Sequence, residues 1–266
     1  SIESIMTALK AAVDADINAA TVKLLALEPG ETTPPEVVDP PEVIDPPEVI
    51  DPPEVIDPPT ATGGPPLSWE AVTGTHNAQP IQLRPGQTLE HASITASAEP
   101  ASILCQGGAT IRGCRIKSRE AIRVSNGNVL VEDSWVEVKG VGDDHADGLQ
   151  VYGPGGFGTV TVKRSTFRSY NQAATAGYFS ADNWKGTHAF EDVLFWGGPF
   201  GLRINGDGGE SISLKNVYFV GPFGFGPMES TAVGGKRPRI LKWENVCEAK
   251  IENGKLVVVK QYPKPW

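Results

Sequence analysis

A six-residue pattern of apolar and small residues recurs through the C-terminal part of the chain. Apolar residues occupy its first and last positions, a variable residue that is often Asn or Asp occupies the third, and a small residue usually occupies the fourth. The pattern begins at Leu89, Ile111, Val131, Val162, Phe190, Leu214 and Trp243. Successive starts lie 22, 20, 31, 28, 24 and 29 residues apart. Such a period is typical of a solenoid, in which each coil buries its apolar residues by stacking on its neighbours.

A second, four-residue pattern precedes several of these repeats. It occurs at Ala121–Val124, Gly148–Val151, Gly177–Ser180 and Gly201–Ile204. Because side chains alternate along a strand, its second residues are predicted to stack inward: Ile122, Leu149, Tyr178 and Leu202. Its third residues are predicted to form a row on the outside: Arg123, Gln150, Phe179 and Arg203. Two or three short strands per period predict an all-β fold, a parallel β-helix of about seven coils, because a β-sandwich would not repeat one frame seven times.

The segments at the two ends of this region do not follow the pattern. Lys255–Lys260 is predicted to cover the end of the last coil, whose strand edge would otherwise be unpaired. Residues 67–88 are candidates for covering the first coil. The β-helix domain is therefore placed at residues 67–266, with a C-terminal cap.

Two different segments precede the β-helix. Residues 2–27 contain no Gly or Pro and carry apolar residues three or four apart, which predicts an α-helix within an N-terminal segment 1–30. Its one-sided apolar stripe needs a partner: an oligomeric bundle, a larger particle, or the chain's own C-terminal domain. Residues 34–59, within a segment 31–66, contain PPEVVD once and PPEVID three times. Paired prolines favour an extended polyproline II stalk, which at about 3.1 Å per residue would reach roughly 80 Å. An unstructured linker fits the composition equally well.

The net charge of −9 is unevenly distributed. Residues 34–59 contribute −8 and residues 1–33 contribute −3, so residues 60–266 sum to +2. Without a dense basic stripe, no nucleic-acid partner is expected. No apolar run approaches the roughly 18 residues of a membrane span, and no signal-peptide pattern is recognised. The three cysteines lack metal-ligand spacing and are interpreted as small apolar core residues.

Chemically active residues concentrate beside the predicted outer row. Glu120 and Asp147 are predicted to lie one above the other just before it. Two long inter-repeat loops flank it, and they contain Asp143, Asp144, His145, Tyr170, Asn171, Asp182 and Trp184. Acids, a histidine, guanidinium groups and aromatic rings are therefore expected on one side of the middle coils.

The coil pattern, together with the stretch Asp144–Gln150 (DHADGLQ), resembles the pectate-lyase-like superfamily of right-handed parallel β-helices. That superfamily includes polysaccharide lyases, glycoside hydrolases and the tailspike or fibre proteins of bacteriophages. The resemblance covers about residues 80–250 at the level of the fold. The helix and stalk resemble the way phage fibres mount a carbohydrate-reading β-helix on a virion.

The resemblance also implies catalytic and metal-binding roles. Asp147, with Asp143, Asp144 or Glu120, would hold Ca²⁺ through oxygen ligands; no other cofactor is suggested. In a lyase, Arg123 or Arg203 would neutralise a uronate carboxylate or act as the base, with His145 as the alternative base. In a hydrolase, Asp147 and Asp182 are the best carboxylate pair.

Substrate binding is expected at Gln150, Tyr152, Phe179, Asp182 and Trp184. The aromatic rings, including that of Trp196, would stack on sugars if they are exposed. Structural interpretations stand beside these: Asp147-Gly148 shapes a turn, His145 bonds a neighbouring loop, the arginines form a solvated ladder, and the aromatic residues belong to the core or a cap.

These observations favour a phage-type fibre, spike or capsid-decoration protein, located on the virion and acting outside the cell. Its β-helix would bind host cell-surface polysaccharide, and residues 1–30 would attach to a virion protein and form a homo-oligomer. The alternative is a lyase or hydrolase acting on acidic polysaccharide. A decoration protein without a ligand is the third possibility.

Overall fold

The computed structural model describes residues 63–96, 101–142, 144–153, 155–170, 174–180, 183–229 and 235–266. The predicted helix at 2–27 and the proline-rich segment at 34–59 lie outside these residues. The described chain contains the short 3₁₀ helix Trp69–Ala71 and 17 strands. The strands are β1 (His76–Asn77), β2 (Ile81–Leu83), β3 (Gln87–Glu90), β4 (Ala92–Thr95), β5 (Ile103–Gln106), β6 (Ala109–Arg112), β7 (Arg115–Ser118), β8 (Ile122–Asn126), β9 (Val129–Glu132), β10 (Trp135–Val138), β11 (Ala146–Val151), β12 (Phe157–Ser169), β13 (Ala174–Ser180), β14 (Lys185–Ile204), β15 (Ser211–Met228), β16 (Arg239–Glu252) and β17 (Lys255–Gln261). No helix in this part of the chain is both long and apolar enough to cross a membrane.

The strands form a parallel β-solenoid of about six turns, which confirms the predicted fold class. Each coil contributes to three faces. Face 1 contains β2, β5, β8, β11, β13 and the ends of β14 and β15. Face 2 contains β3, β6, β9 and the first parts of β12, β14, β15 and β16. Face 3 contains β1, β4, β7, β10, the later parts of β12, β14, β15 and β16, and β17. The seven sequence repeats correspond to about six turns. The repeat at Trp243 lies in β16, the last parallel strand, and β17 then pairs antiparallel with β16.

The six-residue pattern has a local explanation in the tight turn between faces 2 and 3. Its third residue has a positive φ, between 43° and 59°, in every coil: His91, Gly113, Asp133, Arg164, Asp192, Asn216 and Asn245. Asn and Asp tolerate this left-handed conformation better than most residues. They also stack, since Asn216 Nδ2 donates to Asp192 Oδ1 at 2.8 Å and Asn245 Nδ2 donates to Asn216 Oδ1 at 2.9 Å.

A charge ladder runs along face 2, at the outward position just before that turn. Its residues alternate in sign from coil to coil: Glu90, Arg112, Glu132, Lys163, Glu191, Lys215 and Glu244. Arg112, for example, binds both Glu90 and Glu132 at 2.6 Å. Each pair is partly exposed and stabilises the fold little, but a slip of one coil would oppose like charges. The ladder therefore favours one register.

The interior is a continuous apolar column. Phe167, Phe195 and Phe219 stack in successive coils, with neighbouring ring centroids 5.7 Å apart. Cys105, Cys114 and Cys247 are buried free thiols, and burial raises the pKa of Cys105 to about 12. They are core residues, as the sequence indicated.

Both ends of the described chain pack on face 3. Strand β17 pairs antiparallel with β16. The segment Gly63–Thr75, here called the strap, lies along the outside of face 3. Pro66 O accepts a hydrogen bond from Thr166 Oγ1 at 2.5 Å, and Trp69 stacks under Arg115 at 5.0 Å. The start of the region expected to cover the first coil therefore lies over the side of the solenoid instead.

Candidate functional site

The outer row of face 1 has the register that the sequence predicted. Arg123 is the strand partner of Gln150, Gln150 of Phe179, and Phe179 of Arg203. The residues preceding them face the core and are fully buried: Ile122, Leu149, Tyr178 and Leu202. Four coils thus present one guanidinium, one amide, one phenyl ring and a second guanidinium in a line.

At the Arg123 end of the row, the positive charge is compensated. The guanidinium donates to both carboxylate oxygens of Glu120, from Nε to Oε1 at 2.8 Å and from Nη2 to Oε2 at 2.7 Å. Glu120 is only 3% exposed, so this bidentate pair is well shielded from water. Arg123 also lies 5.2 Å from the ring of Tyr152, which is 45% exposed. An ion pair beside an open aromatic ring therefore forms this end.

At the Arg203 end, the guanidinium contacts aromatic rings and forms no ion pair with a carboxylate of the described residues. Its Cζ lies 4.9 Å from the ring of Phe179 and 5.6 Å from that of Phe200. Phe200 packs against Phe225 with centroids 5.4 Å apart, and Phe225 is 77% exposed. Sequence reasoning missed both. Strand alternation did not reveal Phe200, because a residue three positions before Arg203 is expected on the opposite face, and register shifts occur just before Phe200.

Asp147 lies beneath the row, close enough to Glu120, Arg203 and Arg123 for their charges to affect its carboxyl group. It is fully buried, and Oδ1 accepts a hydrogen bond from the Ala176 N–H at 2.9 Å. Burial raises the pKa of Asp147 well above its usual value, and Glu120 raises it further. Because the Asp147 carboxyl group has no exposed surface, its covering side chains would have to move before it could contact a substrate or an ion, as its predicted catalytic and metal-binding roles require.

Three buried polar atoms at this site have no hydrogen-bond partner in the described structure: Asp147 Oδ2, Gln150 Oε1 and Arg203 Nε. Buried polar groups in folded proteins are nearly always satisfied. Asp147 and Gln150 lie on β11, and Arg203 lies two strand steps away on β14, so the three atoms are suited to separate water molecules or polar ligand groups.

Among the acidic residues proposed for Ca²⁺, Asp144 already has partners in the described structure. Asp144 accepts hydrogen bonds from both Arg119 and the Val141 N–H, and the Arg119 guanidinium lowers the pKa of Asp144 to about 2. Asp143 lies outside the described residues. Among those described, no three His, Cys, Asp or Glu side chains form a group that could hold a metal ion.

The remaining predicted residues separate into exposed and buried positions. His145 is exposed, with Nδ1 3.5 Å from Thr175 Oγ1 on the neighbouring coil. Trp184 is fully buried in the core, so it offers no ring face to a sugar, contrary to its predicted substrate-binding role. Trp196 is half-buried beneath Arg168, whose Cζ is 3.6 Å from the ring. Asp182 lies outside the described residues.

A buried polar pair inside the solenoid was also missed. Tyr178 Oη and His188 Nδ1 are 2.6 Å apart, and both residues are fully buried. Burial lowers the pKa of His188 to about 3, so it is a neutral imidazole at neutral pH. Nearby, Ser180 donates to the buried Glu210 at 3.2 Å. The sequence signal for this pair was Tyr178, because a tyrosine that is predicted to point inward needs a hydrogen-bond partner for its hydroxyl group. The pair has no route to a ligand and is structural.

Face 2 carries two clefts that compete with the row as binding sites. One is about 600 Å³ and is lined by residues such as Thr110, Leu130 and Thr161; an adjoining one is about 150 Å³. No buried unpartnered side-chain atom in the described structure lines either cleft. The unsatisfied polar groups instead favour the outer row of face 1.

No protein-family model, curated protein or solved structure matches this chain. The assignment of the fold as a parallel solenoid therefore rests on the described structure. This fold is consistent with the predicted right-handed β-helix.

Proposed function

We propose that the β-helix binds a cell-surface polysaccharide along the outer row of face 1, as the recognition domain of a phage-type fibre, spike or capsid-decoration protein. The observation that carries this proposal is the line of guanidinium and amide groups of Arg123, Gln150 and Arg203 beside the exposed rings of Tyr152 and Phe225. Sugars offer hydroxyl groups to such polar groups and apolar C–H faces to such rings. The row also crosses several coils, which suits an extended polymer.

Attachment to a virion rests on the sequence organisation. An amphipathic segment at 1–30 and a repeated proline-rich segment at 31–66 precede the β-helix. In this proposal the first segment attaches and oligomerises, and the second holds the β-helix away from the particle. Deleting residues 1–30 should leave a cooperatively folded β-helix that no longer oligomerises or attaches. An unfolded truncation product would contradict this division.

The binding proposal is tested by incubating the full-length protein with a panel of immobilised bacterial surface polysaccharides. Binding of at least one polysaccharide is expected, and Gln150→Leu, which removes the unpartnered acceptor, should weaken it. Thr161→Ala on face 2 is the matched control and should leave binding unchanged. Failure of the wild-type protein to bind any member would favour a decoration protein without a ligand.

Cleavage of an acidic polysaccharide is the second candidate function. It is favoured by two neighbouring carboxyl groups in different environments: Asp147 has a raised pKa, and Glu120 is paired with Arg123. Incubation with acidic polysaccharides should then release unsaturated or reducing ends, and Asp147→Asn should abolish them. Binding without any product would leave the recognition function alone.

A further inference from the structure

The two arginines of the outer row differ in how their charge is compensated. Arg123 donates from Nε and Nη2, one edge of its guanidinium, to both carboxylate oxygens of the buried Glu120, so the pair is electrically neutral. Arg203 forms no ion pair with any carboxylate that the structure describes, and its Nε has no partner there. Its contacts are the faces of Phe179 and Phe200, which leave the guanidinium edge as the donor.

The groups between the arginines carry no compensating charge. Gln150 and Phe179 are neutral, and the buried Asp147 carboxyl group forms no hydrogen bond with Arg203 in the described structure. Neighbouring strands lie about 4.8 Å apart, so three strand steps separate Arg123 and Arg203 by roughly 14 Å. A polymer lying along the row would therefore meet a neutral ion pair at one end and an uncompensated cation at the other.

We propose that the row is selective for a polysaccharide in which anionic groups are sparse, with one carboxylate or sulfate held by Arg203 and uncharged sugars at Gln150 and Tyr152. This inference rests on the proposed function of the row. A polymer charged on every sugar would place an anion beside the neutral Arg123–Glu120 pair, where no uncompensated cation offsets the desolvation of that anion. An entirely neutral polymer would offer the Arg203 guanidinium only hydroxyl acceptors, which bind it more weakly than an anion does.

Arginine side-chain NMR tests the inference without knowledge of the natural ligand. The Nε–H signals of the full-length protein would be followed during separate titrations with sodium D-glucuronate, D-glucose 6-sulfate and methyl D-glucoside. The Arg203 signal, assigned by its loss in Arg203→Gln, should shift saturably with one or both anions and not with the neutral glycoside. Glucuronate and the sulfate ester separate the two anion sources. The Arg123 signal, held by Glu120, should move far less.

Polymers then test the selectivity. Hyaluronan, with a uronate on alternate sugars, should bind more tightly than polygalacturonate, with a uronate on each. Arg203→Gln should weaken hyaluronan binding about tenfold or more, the effect of losing one charge-assisted hydrogen bond. It should also reduce the dependence of binding on salt.

The outcomes separate this inference from the function on which it rests. Equal shifts of the Arg123 and Arg203 signals, or tighter binding of polygalacturonate, would overturn the charge selectivity while leaving polysaccharide binding intact. If no signal of the row moves with any probe and no polysaccharide of the panel binds, the proposed function itself is wrong.

Discussion

The buried Tyr178–His188 pair predicts how the stability of the β-helix depends on pH. His188 has a pKa of about 3 in the folded chain, against 6.5 for an unperturbed histidine, because burial disfavours the imidazolium ion. The unfolded chain therefore binds a proton at a pH where the folded chain does not. The contribution of His188 to the free energy of unfolding is therefore fully present above pH 6.5 and is lost as the pH falls towards about 3.

The magnitude follows from the difference between the two pKa values. Each pH unit within the window lowers the free energy of unfolding by about 1.4 kcal/mol. Acidification from pH 7 to pH 5 should therefore remove about 2 kcal/mol, and the full window about 5 kcal/mol. The raised pKa values of Asp147 and Glu210 act in the opposite direction, since the folded chain binds those protons first. A variant comparison is needed to isolate the histidine.

Replacement of His188 by Gln provides that comparison, because the Gln amide oxygen accepts a hydrogen bond from the Tyr178 hydroxyl and does not titrate. Urea unfolding monitored by tryptophan fluorescence at pH 7, 6 and 5 should show the wild type losing about 2 kcal/mol relative to His188→Gln. The exposed His145, replaced by Gln, is the control and should leave the wild-type profile unchanged. Parallel pH profiles for wild type and His188→Gln would refute the reasoning.

Three further substitutions test the packing of the solenoid. Gly186→Ala would place a Cβ 1.9 Å from Gly158 O, so it should destabilise the fold by about 1–3 kcal/mol or more in urea unfolding. Gly64→Ala is the control and should leave the stability unchanged, because nothing lies within 4 Å of the added Cβ. Asn216→Ala should lower the free energy of unfolding by about 1–2 kcal/mol, because φ is 53° at this position and Ala tolerates it poorly. Asn216→Gly should lower it less, because Gly loses only the stacked hydrogen bonds. Equal losses in the two variants would show that backbone strain is negligible. Leu67→Ala should lower the melting temperature if the strap stabilises face 3, and an unchanged value would show that it does not.

The repeat pattern predicted the fold well because it reports a local constraint repeated in every coil. The third position of each repeat needs a left-handed turn, and residues such as Asp192 and Asn216 mark it in the sequence. Inward and outward positions follow from strand alternation, which is why Arg123 and Arg203 could be aligned correctly across three coil steps. These features need no knowledge of distant contacts.

The sequence predicted the site less completely, because burial and pairing depend on what covers each side chain. Asp147 and Trp184 have the residue types of a binding site, but the neighbouring coils bury both. Asp144 was proposed as a calcium ligand, yet Arg119, 25 residues earlier in the chain, occupies its carboxylate. Alternation along one strand cannot reveal a partner supplied by another coil. The strap was missed for the same reason, since nothing in its composition indicates that it lies over face 3.

Calorimetric titration of a bound polysaccharide against matched variants tests the central claim most directly. The wild type, Phe179→Ala and Arg203→Gln on the outer row of face 1 would be compared with Thr161→Ala at the cleft of face 2. Both row variants should weaken binding by about tenfold or more while Thr161→Ala binds as the wild type does. Unchanged affinity in both row variants, with loss in Thr161→Ala, would place the binding site on face 2 and contradict the account.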